Sequence, residues 1–118
     1  MTKMLLLCLL IMTTTATAGT TRTNCAFGSS YDVSRPYSIQ EIERSELAHM
    51  EEVVKVLPDV PKLPFGFQNP EWIYLKSIVQ PGDRIVYFRW RPRPRASDAG
   101  VALVRACRVV HKIVTSQG

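Results

Sequence analysis

The chain has 118 residues, 46% of them hydrophobic and 21% charged, with a formal net charge of +5. That length suits one domain with one modest core and excludes two. The charge is moderate and by itself names no partner.

The first eighteen residues divide into a cationic start at Lys3, an apolar run from Met4 to Met12, and a Thr/Ala stretch ending Ala16-Thr17-Ala18. This three-part pattern predicts a secretory signal, Met1 to Ala18, cleaved after Ala18. A membrane anchor needs roughly 20 apolar residues, and this run has nine. Neither Cys8 nor Cys25 follows the small residue expected before a lipidated cysteine. The expected destination is therefore export, to a periplasm or outside the cell, with no membrane-spanning segment after processing.

Processing removes Lys3 and Cys8, leaving 14 basic against 10 acidic residues and two cysteines, Cys25 and Cys107. An even pair in an oxidising compartment predicts a disulfide. The competing reading is two separate thiols, with Cys107 packed as a small hydrophobe.

Residues 19–36 are rich in Thr, Ser and Gly and read as a flexible leader. The folded domain is expected over 37–118. Ser38-Ile39-Gln40-Glu41 is a capping box, so a helix should begin there. Ile39, Ile42, Leu47, Met50, Val53, Val54 and Leu57 gather on one side of it, and Pro58 and Pro61 end it. Glu43 and Glu46 fall within the same stripe, which a core-facing helix tolerates only with partners. Either the first turns overhang the core or these acids meet arginines, and the overhang is the reading preferred.

Residues 58–68 form a stiff connector with three prolines. Asn69-Pro70-Glu71 then supplies a cap, a proline at the first helical position and an early acid, predicting a second helix from Pro70 to about Val79. Gln80-Pro81-Gly82-Asp83 is a turn. Residues 84–90, 101–104 and 109–114 are dense in β-branched and aromatic residues and read as three strands, the last two joined by a hairpin. The expected class is α+β: two helices on one face of a three-stranded antiparallel meander.

Chemistry has little foothold. Cys107 and His111, four apart on an extended segment, stand roughly 13 Å apart, too far for a nucleophile and base; His111 is better read as a satisfied core or edge histidine. His49 with Glu46 and Glu52 lacks any companion zinc motif and reads as a solvated face. No phosphate-loop, dinucleotide or nucleophile-elbow pattern is present. The sequence thus nominates no catalytic residue, metal site or cofactor.

Charge is distributed unevenly. Residues 38–59 hold six acids and two bases, while residues 77–118 hold eight bases and only Asp83 and Asp98. Within that basic half stands Arg89-Trp90-Arg91-Pro92-Arg93-Pro94-Arg95. Arginines at every second position of a proline-stiffened segment cannot all neutralise one another and call for anions. Trp90 adds a flat surface for stacking. Binding is therefore assigned to Arg89, Trp90, Arg91, Arg93 and Arg95. The expected function is a small exported, non-enzymatic binding or inhibitor-like protein whose partner is an acidic protein or anionic envelope component, nucleic acid being the least favoured. The alternative is a structural or envelope-associated protein touching polyanions without specificity, with a small hydrolase third. Against both stands a solvated loop that merely guards the sheet edge.

Overall fold

A computed structural model of the chain describes residues 23–93 and 96–117. The expected signal, the start of the leader, and Pro94 and Arg95 of the basic segment lie outside the described residues.

The element order is a 3-10 turn (Thr23–Ala26), β1 (Tyr31–Tyr37), α1 (Ile39–Val56), a second 3-10 turn (Gly66–Gln68), α2 (Asn69–Ile78), β2 (Arg84–Arg93), β3 (Ala96–Arg105) and β4 (Arg108–Gln117). The four strands make one antiparallel sheet in the order β1-β2-β3-β4. The fold is α+β, but its sheet has four strands where the sequence suggests three. The fourth is β1, from the segment read as leader. Ser34, Arg35 and Pro36 interrupt its apolar alternation, so it carries no clear two-residue period. It becomes a strand by pairing: Tyr31 stands opposite Trp90, Val33 opposite Phe88 and Tyr37 opposite Ile85.

The capping box of α1 forms as its residues dictate: the Glu41 N–H donates to Ser38 Oγ, and the Ser38 N–H donates to Glu41 Oε1, both at 3.1 Å. The overhang lies at the other end from the one expected. Ile42, in the second turn, is fully buried, while Val56 and Leu57 at the C-terminal end are 79% and 57% exposed. The first turns pack because Glu43 and Glu46 find partners, though neither partner is an arginine. Glu43 Oε1 accepts from the indole N–H of Trp72 at 3.1 Å and from Lys76 Nζ at 2.6 Å. Glu46 Oε1 accepts from the Tyr87 hydroxyl at 3.1 Å.

Both sheet faces are covered, which explains the unbroken apolar runs at 85–88 and 101–104, since a strand buried on both sides shows no alternation. On the helix side, Ile85, Val101, Leu103 and Ile113 pack with Ile42, Phe65, Trp72 and Leu75. On the opposite side, Val86, Phe88, Ala102 and Val104 pack beneath Ala26, Phe27, Tyr31 and Val33. The second cover is tied down covalently. Cys25 is bonded to Cys107, 82 residues away, with their Cα atoms 5.2 Å apart.

Cys107 sits in the two-residue β3–β4 turn with Ala106, and both have positive φ, 61° and 49°. That hand matches strand twist but is normally supplied by Asn or Gly. Within the same hairpin, Gly100 lies directly on the β4 backbone. A Cβ there would overlap the Ile113 carbonyl oxygen and approach Val114 Cα to 3.0 Å.

Candidate anion-binding hairpin

The described part of the arginine segment, Arg89 to Arg93, is a continuation of strand rather than a loop. β2 runs to Arg93, whose backbone stands opposite Ala96 of β3, with a register irregularity between Trp90 and Arg93 where Pro92 interrupts the ladder. The Arg91 N–H donates to the Ser30 carbonyl at 3.0 Å, extending the pairing with the segment before β1.

Strand alternation divides the five assigned residues. Arg89 projects to the side of Tyr87, the helix side. Asp32, opposite Arg89 across β1, shares that side, and Arg91 Nε approaches Asp32 Oδ2 at 4.0 Å. Arg89 and Arg91 are both exposed and lie beyond the part of the sheet that the helices cover. Trp90 faces the other way. Its ring lies 6.1 Å from Tyr31, which continues to Phe27 at 5.2 Å and Phe88 at 6.2 Å. Trp90 is thus the end of an aromatic row on the disulfide-tethered side, and the structure does not bring it together with Arg89 and Arg91. Applying the two-residue period to positions 89 to 91 would have separated them in advance. Arg93 contributes its backbone to the hairpin, and Arg95 lies outside the described residues.

Beside Arg89 the helix-side face carries a shallow cavity of about 410 Å³, lined by Asp32, Ser34, Tyr87, Ala99 and Thr115 among others. Ser34 Oγ accepts the Tyr87 backbone N–H at 2.9 Å, and Thr115 Oγ1 donates to the Ala99 carbonyl at 3.2 Å.

Four of the five acids of α1 are engaged by groups outside the arginine segment. Glu41 pairs with Arg35 at 2.8 Å, Glu43 with Lys76 at 2.6 Å and Glu52 with Lys55 at 2.9 Å. The Arg35 guanidinium and the capping N–H hold the Glu41 carboxyl down at about 2. Glu43 is lowered chiefly by its bond from Lys76. Burial pushes Glu46 the other way, above the usual carboxylate range, and drives Tyr87 up to about 12. Among the bases after position 77 whose side chains are described, Arg105 alone is held by an acid at hydrogen-bond distance: its Nε and Nη2 donate to Asp83 at 2.9 and 2.8 Å, and Nη2 also donates to the Ile78 carbonyl. Among the described residues, Arg89 has no carboxylate at ion-pair distance and Arg91 only the 4.0 Å contact with the exposed Asp32.

The remaining candidates are placed as follows. Cys107 is in the disulfide, and His111 Nε2 lies 3.0 Å from Glu71 Oε2 with its ring edge-on to Tyr74. Glu46 is bonded to Tyr87 and Glu52 to Lys55, and among the described residues the two do not gather with His49 into one cluster. Among the described residues no helix is long and apolar enough to cross a membrane. No protein-family model matches the chain, and neither a curated protein nor a solved structure shows significant similarity to it.

Proposed function

We propose that this is a small exported binding or inhibitor-like protein that works by surface contact, with the Arg89 to Arg95 segment as the surface that meets an anionic partner. The observation that carries the reading is that Arg89 and Arg91 stand exposed on a paired strand while four of the five acids of α1 are engaged with other groups. A strand-held guanidinium has a restricted position, which lowers the ordering cost of contact. Its planar donors suit carboxylate or phosphate groups equally, so the partner class is an acidic protein or an anionic envelope component. Export agrees with the bonded cysteine pair, since such bonds persist in oxidising compartments.

One observation favours the second reading, loose contact with polyanions. Trp90 is turned to the other face, so the hairpin recognises by charge without the stacking surface that would add selectivity.

The test is capture from the native envelope or medium by the parent and by a variant with Arg89, Arg91, Arg93 and Arg95 replaced by serine. A stoichiometric partner held by the parent and lost by the variant supports the binding reading. The same material held by both sinks it.

A further inference from the structure

The face of the sheet opposite the helices holds a cavity of about 500 Å³ between the N-terminal segment and β4. Phe27, Tyr31 and Phe88 form one wall, with ring centroids 5.2 to 6.2 Å apart. Val109 and Lys112 of β4 belong to the other.

Those two side chains share a face because β4 is irregular. Val109 stands opposite Val104 and Lys112 opposite Ala102, and both β3 residues belong to the apolar cluster beneath the N-terminal segment. Three residues apart on a regular strand, Val109 and Lys112 would point to opposite faces. Val110 is the extra residue: His111 pairs with Leu103 and Val109 with Val104, and nothing on β3 matches the position between. A bulge of this kind re-aims the side chains beyond it. Here it sets an exposed ammonium group at the margin of a largely apolar cavity. Among the described residues no carboxylate lies at ion-pair distance from Lys112.

The spacing of the walls is fixed covalently. Cys25 precedes Ala26, which lines one side of the cavity, and Cys107 lies two residues before Val109 on the other, so the disulfide joins the two sides at that end. Both walls lead away from the bond. A cavity tied at one end suits a small molecule better than a strand running through it, and its volume falls in the range of small-molecule sites, about 300–1,000 Å³. Such sites combine apolar walls with a few polar groups that orient the ligand. A wall position held before binding lowers the ordering cost of contact.

We infer that this cavity binds a small aromatic carboxylate, its ring against Phe27, Tyr31 and Phe88 and its carboxylate on Lys112. Three rings on one wall select a flat apolar body, because aromatic groups gain from offset or edge-to-face contact beyond the area they bury. The ammonium without a carboxylate partner selects the charge, since an ionised acceptor makes the stronger hydrogen bond. The site lies on the face away from Arg89 and Arg91, and the inference does not rest on the proposed function.

The probe is naphthoate, titrated into the disulfide-bonded protein and followed by backbone amide chemical shifts. The expected result is saturable one-to-one binding with shifts at Phe27, Tyr31 and Lys112. Naphthamide, uncharged and of nearly the same shape, should bind at least about tenfold more weakly, the scale of one charge-assisted contact. Lys112→Met keeps an apolar side chain of similar length without the charge, and should bring the two ligands within about twofold of each other. Should that variant fail to fold, the comparison of acid with amide on the unaltered protein still reads the contact. Absence of saturable binding, equal affinity for acid and amide, or a preference for the acid that survives Lys112→Met overturns the inference. So do shifts at Arg89 and Arg91 in place of Lys112, which would put the carboxylate on the arginine hairpin.

Discussion

Replacing Cys25 and Cys107 together by serine should be the most costly change outside the core. The bond joins residues 82 apart, so it closes most of the folded domain into a loop. In the chain-entropy model a loop of 82 residues is worth about 4.5 kcal/mol at 25 °C. Small domains hold only about 5–15 kcal/mol in total, so the variant should lose a third of its stability or more. The structure adds a location to this loss. Phe27 and Ala26 cover Val86 and Phe88 from a segment held by Cys25, and without the bond that cover rests on side-chain packing alone. Guanidinium unfolding followed by tryptophan fluorescence measures the difference, with free energies compared rather than midpoints because the unlinked chain expands further and raises the denaturant slope. An apolar dye should bind the folded variant and not the parent. A loss under about 1 kcal/mol, or two alkylatable thiols in the unreduced, unfolded parent, would refute the reasoning.

Gly100→Ala must push a methyl group into the Ile113 carbonyl and should cost about 3 kcal/mol or more, read by thermal or chemical unfolding. Ala106→Asn, in the turn where φ is 49°, should stabilise by about 1 kcal/mol by relieving a left-handed alanine; an unchanged or lowered midpoint would contradict the turn geometry. Glu46 has its pKa raised by burial, so its charged form opposes folding: its favourable contribution is complete below the ordinary value of 4.5 and is lost as pH rises through the raised one. Glu46→Gln should therefore match the parent in acid and exceed it increasingly toward neutral pH, as urea unfolding at pH 4, 6 and 8 would show. Glu41, lowered to about 2 by Arg35, works in the opposite sense: its stabilising contribution stands above 4.5 and fades as pH falls toward 2, and Glu41→Gln should remove that acid dependence.

Local rules carried the sequence reading furthest where the determinants are local. The capping box at Ser38 and Glu41 forms as read, and the second helix begins and ends one residue earlier than expected, at Asn69 and Ile78. Strand interiors were legible from β-branched runs, whereas strand ends were not. β2 continues through Arg91 and Pro92, residues that resemble loop, because β3 pairs with it as far as Ala96. β1 was hidden for the same reason: its alternation is broken, and pairing with β2 supplies what its own residues do not. Glu43 and Glu46 show the limit most sharply. Their place in an apolar stripe flagged a conflict, but the partners that resolve it, Trp72, Lys76 and Tyr87, lie 29 to 41 residues away and cannot be read from spacing. In the candidate site, the arginine run was visible as charge; the separation of Trp90 from Arg89 was implicit in the strand expected over 84–90, while placing Arg91 required knowing that the strand continues to Arg93.

The central claim, that exposed arginines of the β2–β3 hairpin make the functional contact, is tested most directly by measuring how much captured partner the parent and an Arg89→Ser, Arg91→Ser variant hold at physiological salt. Both sites are exposed, so the variant should keep its stability within about 0.5 kcal/mol per site, while its affinity falls at least about tenfold for the loss of charge-assisted contacts. Equal retention by the two proteins, at unchanged stability, would contradict the account. Collapse of the parent's own binding on moving from low to physiological salt would replace defined recognition with loose polyanion contact.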